Sequence, residues 1–581
     1  MEPSASLGQV SLLPFRPQVW PPLLFAAGVY GVLIFLVLPA GVTAHNDDFG
    51  YLRSIVETLQ HQRLWTNDWL EPWAGGLSFL SALLFTATDS FFVATNGLLA
   101  ILAAASFWAG CRLLQDRGLP VARAILVTAL LLTFPCVLWK SLEFTSVALY
   151  LPCLLLALHA GERRRWGWFL IVWLLALATR QSALTWAVLP AIGAMQAWSR
   201  RSVAQSAAAW MIPALVTASG FALFGMLGRV MNRTHAQILL TDSIFDHLWM
   251  HINQHIGPSR LLETFLVGAG IFLVAAGLGS NVLRWPPSPA PKRAWRRVLV
   301  GLGAVIVVQL LAPRIAVEHD SFSIFTGHFY AWSVLLLAWA GWSSGTGALS
   351  WSAVAYASGS VAALCLRGGV WDYYLLDVAV FGFFGMTARD SSMTPVAKVS
   401  DGRGRIWFRR IACGLLIASH AVFLLNFKVM LDRSHALVTL AEHALRAGKL
   451  QPSELSFAPF GYAGWHLYPY YIAHEGKTMP DLAGFLNYVG SGEVAVGQGY
   501  SRALHLLPRF RHEPPADRRT LIGHVAFRCC WFFRGEFFLL RLSVEEKRPP
   551  VWKLVERDYR FQPFPLNDAE WHDLVRPESI R

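Results

Sequence analysis

Long uninterrupted apolar segments are the feature that most constrains how this chain folds. They recur through the first 427 residues, with lengths near the roughly 20 residues that a helix needs to cross a bilayer core. In lipid, a spanning segment must satisfy its own backbone hydrogen bonds, which favours helices. The segments predict thirteen transmembrane helices, at 20–42, 91–111, 121–139, 142–160, 167–179, 183–198, 207–228, 261–283, 298–313, 328–342, 351–366, 373–388 and 407–427.

Composition supports the same class. The 581 residues are 55% hydrophobic and 15% charged, where a soluble domain carries about 25% charged residues. Basic residues cluster between the predicted helices: with the N-terminus inside, the inner loops contain nineteen Lys and Arg against nine in the longer outer loops, which is the bias of a membrane protein. The net charge of +13 therefore indicates topology and attraction to anionic lipid headgroups. It argues against nucleic-acid binding, which needs a basic face on a soluble domain.

This topology divides the chain into regions. Residues 1–19 are predicted to be cytoplasmic, 20–427 to form an all-α polytopic membrane domain, and 428–581 to form an extracytoplasmic α+β domain. A strand-like piece in the last region is Gly535–Leu542. The Val42-Thr43-Ala44 sequence resembles a signal-peptide cleavage site, but the preceding apolar run of 23 residues favours a full span.

The first outer loop, 43–90, is too long for a simple connector and is predicted to contain short interfacial helices. Its apolar segment Gly75–Ala87 has 13 residues, which is too short to span and suits the membrane interface. The loop begins with His45-Asn46-Asp47-Asp48-Phe49-Gly50-Tyr51, directly after the first predicted helix. This loop is the predicted catalytic segment.

The adjacent carboxylates Asp47 and Asp48 are the strongest candidates for chemistry. Charge at a membrane boundary is costly unless water, a partner or a substrate meets it. A neighbouring carboxylate raises one pKa of such a pair, so that a general base for a hydroxyl acceptor is available near neutral pH. A structural interpretation explains the pair equally well, because Asp is common at the N-terminus of a helix such as one beginning near Phe49.

Arg180 is the second candidate, in the middle of the apolar stretch 167–198. One helix of that length exceeds a bilayer span, so Thr179-Arg180-Gln181-Ser182 predicts a break between two short helices, near the outer headgroups. The fixed fork of donors in a guanidinium suits a phosphate or pyrophosphate. The alternative is an Arg that merely extends to the interface.

Other outer residues are weaker candidates. Lys140 and Glu143 flank a short outer turn and are close enough to pair with each other. His247, His251 and His255 would share a helix face as a metal or phosphate surface, although a solvated face explains them as well. The remaining polar and aromatic candidates for acceptor, phosphate or sugar contacts are Arg314, Glu318, His319, Asp320, Tyr468, Tyr470 and Tyr471.

These residues resemble a family. Asp47-Asp48-Phe49-Gly50-Tyr51 after the first span resembles the Asp-Asp/Glu-x-x-Tyr motif of GT-C-fold integral-membrane glycosyltransferases, which include protein O-mannosyltransferases, the lipid A aminoarabinose transferase and the Rgt-like group. Ala176-Leu177-Ala178-Thr179-Arg180 resembles a second segment of that family, and Arg180-Gln181-Ser182 is similar to its eukaryotic glucosyltransferase members. The Arg-Tyr-x-x-Pro segment of several relatives corresponds here to Asp372-Tyr373-Tyr374-Leu375-Leu376-Asp377, which has no Arg before the Tyr; Arg367 is the candidate substitute.

The resemblance implies transfer of a sugar from a polyprenyl-phosphate donor to a lipid, glycan or protein acceptor, with inversion, on the outer face of a membrane expected to be the bacterial inner membrane. By carry-over, Asp47 and Asp48 are catalytic, and Arg180, Gln181 and Arg367 hold the donor phosphate. His45, Tyr51, Lys140, Glu143 and Tyr373 are assigned to substrate binding. A Mg²⁺ or Mn²⁺ ion at Asp47 and Asp48 stays open, without a third evident ligand.

Two other functions stay open. A polymer ligase or polymerase would use a diphosphate-linked donor and give weight to the His-rich loop. A transporter or flippase for a lipid-linked sugar would show ionisable residues near the bilayer midplane and an internal repeat.

Overall fold

The computed structural model describes residues 20–38, 42, 48–66, 75–116, 119–133, 135–187, 189–190, 203–230 and 376–385, positions scattered through 265–276 and 414–449, and three strands between 494 and 541. The helices are α1 (Trp20–Val37), α2 (Asp48–His61), α3 (Gly76–Thr88), α4 (Leu98–Asp116), α5 (Val121–Leu132), α6 (Pro135–Leu142), α7 (Ser146–Glu162), α8 (Trp166–Leu177), α9 (Val203–Val230) and α10 (Leu376–Gly385). A π-helical turn, Val93–Gly97, leads into α4, and a 3-10 helix, Gln181–Ala187, follows α8.

The helices lie where the apolar runs predict them. Within the described residues, one helix, Val93–Asp116, has the length and hydropathy to cross a membrane, while α1, α5, α7, α8 and part of α9 are shorter apolar helices inside predicted spans. The predicted helices 298–313, 328–342 and 351–366 lie outside the described residues. The full count of thirteen spans remains a prediction.

Two predicted spans are built differently from the prediction. The single helix expected over 121–139 is two helices, because α5 ends at Leu132 and α6 begins at Pro135. Proline restricts the residue before it and suits the first turn of a new helix, which explains the break. The start of the helix expected at 183–198 is a 3-10 helix, Gln181–Ala187.

Two helices organise the packing. Helix α4 contacts α1, α5 and α7, and α7 contacts α3, α4, α6 and α8. Helix α7 is buried along nearly its whole length. Small residues allow close approach: a Cβ on Gly31 of α1 would lie 3.0 Å from the Ala100 carbonyl oxygen, and a Cβ on Gly110 of α4 would lie 2.8 Å from Thr128 Cγ2 on α5. Small residues at helix contacts are typical of membrane helix packing.

The outer faces of the helices are apolar as well. In α1, the residues at a spacing of three to four are buried, yet the opposite face exposes Phe25 by 74% and Leu36 by 64%. In α9, Met211 and Leu215 are exposed by 61% and 60%. A helix surrounded by water carries polar residues on its outer face, so a helix that is apolar all round matches a lipid environment.

One contact links two segments of the chain that the topology predicts to lie on the outer side. Lys428, after the last predicted span, donates a hydrogen bond to the Leu38 carbonyl oxygen at the end of α1, with an Nζ–O distance of 3.2 Å, and pairs with Asp432. Lys428 follows the predicted span 407–427, and Leu38 lies near the end of the predicted span 20–42; the topology predicts both ends on the outer side. The contact joins the chain just before the first outer loop to the chain just after the membrane domain.

Three strands form an antiparallel sheet in the C-terminal region. They are β1 (Val494–Tyr500), β2 (Thr520–Cys529) and β3 (Phe533–Arg541), in the order β1-β3-β2, with a register shift between Leu521 and Gly523. Strand β3 confirms the strand predicted at Gly535–Leu542. The extent of the domain and its side of the membrane remain predictions.

Candidate active site

The acidic segment is placed at the start of α2. Asp48 is the first residue of that helix and is 1% exposed. A carboxylate in the first turn interacts favourably with the partial positive charge of a helix N-terminus, so the structural interpretation of Asp48 is consistent with its position. Tyr51, one turn later, is also buried. Asp47 and His45 lie outside the described residues.

Helix α3 links the acidic segment to the Arg180 segment. The Ser78 hydroxyl donates to the Tyr51 carbonyl oxygen of α2 at 2.8 Å. Two residues earlier, the Gly76 N–H donates to the Ala178 carbonyl oxygen, also at 2.8 Å. A Cβ on Gly76 would lie 2.8 Å from that same oxygen, so glycine is what permits the close approach. The prediction of short helices in this loop is confirmed, and α3 has the 13 residues expected of it.

Arg180 lies in the break that its sequence predicts. Helix α8 ends at Leu177, and the next helix is the 3-10 helix from Gln181. The Thr179 hydroxyl donates to the Ala176 carbonyl oxygen at 2.6 Å, and the Arg180 N–H donates to the same oxygen at 2.9 Å. These bonds satisfy a carbonyl at the helix C-terminus and fix the turn. The Arg180 residue is only 8% exposed, which argues against a side chain that simply extends into the headgroup region.

The Arg180 side chain belongs to a buried polar cluster, which we call the Arg180 cluster. Its guanidinium carbon Cζ lies 5.3 Å from the centre of the Tyr150 ring, in a cation–π contact. The Tyr150 hydroxyl donates to Asp377 Oδ2 at 2.7 Å and accepts from the Ser182 hydroxyl at 3.0 Å. The Trp186 ring also packs against Tyr150 in a tilted arrangement, with the two ring centres 5.1 Å apart. The cluster joins α7, α10 and the 3-10 helix.

The three main members of the Arg180 cluster come from helix ends that the topology predicts on the outer side. Tyr150 lies in the second turn of α7, Arg180 follows α8, and Asp377 is the second residue of α10. Asp377 is 3% exposed and Tyr150 is fully buried. A buried ionisable residue in an apolar helix is expensive and marks a candidate functional site.

Lys140 and Glu143 form the ion pair expected of them. Their side chains are 10% and 2% exposed, and they pair across the turn between α6 and α7. Each side chain thereby has an internal partner, as predicted for a boundary pair. Their assignment to substrate binding remains a prediction.

The other predicted site residues divide into those within the described part of the chain and those outside it. Gln181 begins the 3-10 helix. The residues that lie outside the described part of the chain are the main candidates Asp47, His45, Arg367 and Tyr373, and the weaker candidates His247, His251, His255, Arg314, Glu318, His319, Asp320, Tyr468, Tyr470 and Tyr471.

Two members of the cluster, Asp377 and Tyr150, are not among the site residues that the sequence predicts, although Asp377 ends the Asp372–Asp377 segment. The signal for Asp377 is a single acid inside the apolar run 373–388, because such a residue requires a buried partner. Nothing local marks Tyr150 among the other aromatic residues of the spans.

A metal site in a protein usually needs several ligating side chains close together. Within the described residues, no group of three or more His, Cys, Asp and Glu side chains has the arrangement of a metal site. A divalent ion at Asp47 and Asp48 stays a prediction that depends on ligands from the substrate or from other parts of the chain.

A second charged cluster, the Asp116 cluster, lies at the other end of α7. Asp116, the last residue of α4, accepts from the His159 ring of α7 and pairs with Arg163 at 3.0 Å and with Arg112 at 3.4 Å. The Asp116 side chain is 12% exposed. The topology predicts this end to be cytoplasmic.

Solved structures to which this chain is similar include two of ArnT from Cupriavidus metallidurans. No protein-family model matches the chain, and no curated protein matches it. The chain is similar to the crystal structure of ArnT from Cupriavidus metallidurans bound to undecaprenyl phosphate, with 13% identity over 89% of this chain and 98% of that chain and a TM-score of 0.35. It is similar to the apo structure of the same protein with 14% identity, coverage of 90% and 98%, and a TM-score of 0.33.

Proposed function

We propose that this protein is an integral-membrane glycosyltransferase that moves a sugar from a polyprenyl-phosphate donor to an acceptor in the cell envelope, on the extracytoplasmic side. The observation that carries the proposal is the link through α3. Two hydrogen bonds, from Ser78 to Tyr51 and from Gly76 to Ala178, join the acidic segment to the turn that holds Arg180. A transferase of this class needs a base and a phosphate-binding cation in one site.

The chemistry follows from these two groups. Asp47 accepts the proton of an acceptor hydroxyl. The oxygen of that hydroxyl forms a bond to the anomeric carbon of the sugar. The bond from that carbon to the phosphate oxygen breaks on the opposite face, so the anomeric configuration inverts. The electron pair leaves with polyprenyl phosphate, and the Arg180 guanidinium stabilises the charge that develops there. Asp48, one residue on, raises the proton affinity of Asp47 when both are ionised.

Burial makes Arg180 effective in this role. A guanidinium that is largely removed from water interacts more strongly with an anion than an exposed one, because the effective dielectric constant is lower. Its planar donors also match two phosphate oxygens at once. The donor lipid would approach between apolar helix faces such as those of α1 and α9, which supports a lipid-linked substrate over a soluble nucleotide sugar.

The base is tested by Asp47→Asn. We expect sugar transfer in membranes to fall by about 10²- to 10⁴-fold, the usual contribution of a general base, with unchanged accumulation of the protein. The matched control is Asp89→Asn in the same outer loop. Asp89 follows α3 with φ of 59°, a conformation that Asn also tolerates. Full transfer activity in Asp47→Asn would exclude the base.

The donor class is tested by the lipid that co-purifies with the wild-type protein, identified by mass spectrometry. A polyprenyl phosphate or its sugar ester supports the proposal. A diphosphate-linked oligosaccharide would instead support the polymer ligase and contradict the proposed donor.

A further inference from the structure

Two opposite charges are buried on either side of one tyrosine. Arg180 contacts the face of the Tyr150 ring, and Asp377 accepts a hydrogen bond from the hydroxyl at the edge of the same ring. Both charged groups are buried and contact the same tyrosine, so the low effective dielectric constant there strengthens the attraction between the guanidinium and the carboxylate. The inference that follows rests on the phosphate role proposed above for Arg180.

The geometry differs from that of an ordinary structural ion pair. A structural Arg–carboxylate pair commonly forms two parallel N–H to oxygen bonds, which occupy the fork of the guanidinium. Here Asp377 bonds to Tyr150 instead, and the described ion pairs do not include a direct contact between Arg180 and Asp377. A contact with an aromatic face uses none of the N–H donors of Arg180. The arrangement therefore balances the charge of Arg180 without occupying its fork with this carboxylate.

The Asp377 carboxylate is itself incompletely paired. Its Oδ2 accepts the Tyr150 hydrogen bond, but among the described residues its buried Oδ1 has no hydrogen-bond partner. A buried carboxylate with an unsatisfied oxygen is costly, so its ionised form depends on the nearby positive charge. Tyr150 fixes the position of that carboxylate relative to Arg180.

We infer that Asp377 is a resident counterion of Arg180, so that an incoming phosphate binds to Arg180 in the presence of a negative charge that is already there. Asp377 is a positioning residue: it acts through Tyr150 and Arg180 and touches no substrate. Its negative charge lowers the affinity of Arg180 for any anion. The phosphate that leaves after sugar transfer is consequently released, where an uncompensated buried Arg would retain it.

The inference predicts effects of opposite sign for the two members of the pair. The probe is undecaprenyl phosphate, titrated into the purified full-length protein in detergent. Arg180→Gln should weaken binding by about tenfold or more, whereas Asp377→Asn should tighten it by about tenfold, which is the size of effect expected from removing one nearby charge. A residue with a merely structural role would weaken binding or leave it unchanged.

A double variant makes the test specific. In Arg180→Gln with Asp377→Asn, the tightening caused by Asp377→Asn should disappear, because the charge on which it acts is gone. The matched control is Asp116→Asn, which removes a carboxylate beside arginines at the other end of α7 and should leave the affinity for undecaprenyl phosphate unchanged.

The outcomes separate the two proposals. Unchanged binding in Arg180→Gln would overturn the phosphate role of Arg180 itself. Weakened binding in Arg180→Gln without tightening in Asp377→Asn would overturn the counterion role alone. If Asp377→Asn does not accumulate in membranes, recovery of the protein in the double variant supports the counterion role, and continued loss overturns it.

Discussion

The two ends of α7 each carry a cluster that contains both arginine and aspartate, but the two clusters are arranged differently. Tyr150 and His159 are nine residues apart, roughly 14 Å along the helix. In the Asp116 cluster, one carboxylate is surrounded by His159, Arg112 and Arg163, and the group is partly exposed. In the Arg180 cluster, one arginine is buried, and its carboxylate partner lies across a tyrosine ring.

The two clusters differ in how many of their carboxylate oxygens have a partner. The Asp116 carboxylate uses both oxygens, Oδ1 for the two arginines and Oδ2 for the histidine, and so ties α4 to α7. The Asp377 carboxylate uses one. A saturated cluster serves to hold helices together, while a buried cluster with capacity left over is suited to a ligand. We therefore propose a structural role for the Asp116 cluster and a binding role for the Arg180 cluster.

The largest of these expected effects comes from removing Arg180, and Arg163 of the Asp116 cluster provides the comparison. Arg180→Gln should lower the rate of sugar transfer by about 10²- to 10³-fold, the usual loss when a group that stabilises a developing anion is removed. Arg163→Gln should change that rate by less than about twofold, because its side chain is 43% exposed and Asp116 keeps two other partners. Transfer assays on both variants in membranes give the two rates relative to the wild-type protein. An equal loss of rate in the two variants would contradict the proposed difference between the Arg180 cluster and the Asp116 cluster.

Removal of the Asp116 carboxylate tests the structural role of the Asp116 cluster. Asp116→Asn deprives Arg112, Arg163 and His159 of their shared carboxylate, so we expect it to destabilise the protein by about 1–3 kcal/mol, a range discounted for partial exposure. Thermal unfolding of the detergent-solubilised protein measures the loss. An unchanged unfolding temperature would contradict the role of this cluster in joining α4 to α7.

Alanine at Gly76 tests the link that brings the acidic segment to the Arg180 cluster. The added Cβ would lie 2.8 Å from the Ala178 carbonyl oxygen, so the two segments must separate. We expect transfer to fall by about tenfold, equivalent to ~1.4 kcal/mol, through displacement of the proposed base from the donor. The control is Gly31→Ala, whose Cβ is similarly crowded between α1 and α4; it should lower stability and leave the Michaelis constant for the donor unchanged. The same change in both variants would deny α3 a specific role.

The smallest expected effect is at Ser182. Its hydroxyl donates to Tyr150, so Ser182→Ala removes one neutral hydrogen bond from the Arg180 cluster, worth about 0.5–1.5 kcal/mol. Affinity for undecaprenyl phosphate should change by two- to tenfold. Ser106→Ala provides the comparison, because Ser106 donates to the Leu102 carbonyl oxygen of its own helix and not to a member of the cluster. A larger effect in Ser106→Ala would show that general helix stability governs binding.

Local features were predictable from the sequence. The break before Arg180, the short helix α3, the pairing of Lys140 with Glu143 and the strand β3 all follow from spacing, length or neighbouring charge. Each depends on residues close together in the chain. The error at 121–139 is also local, since Pro135 was available as a signal for the start of a new helix.

The Arg180 cluster was not predictable in this way. Its hydrogen bond from Tyr150 to Asp377 joins residues 227 positions apart, and it depends on how α7 and α10 pack. Hydrophobic periodicity gives the existence of both helices but neither their relative position nor the depth of each residue. A buried acid in a span indicates that some partner exists, and only the packing identifies it.

The contact between Lys428 and Leu38 has a consequence for shortened versions of the chain. Lys428 is the first residue after the predicted membrane domain. Its ammonium group donates a hydrogen bond to the Leu38 carbonyl oxygen, at the end of α1 and before the segment that leads to Asp47. Ending the chain at residue 427 would keep every predicted span and every member of the Arg180 cluster, yet it would release one anchor of the first outer loop. A polypeptide trimmed in this way should still bind polyprenyl phosphate but transfer sugar slowly, and restoring the few residues through Asp432 should recover part of the rate.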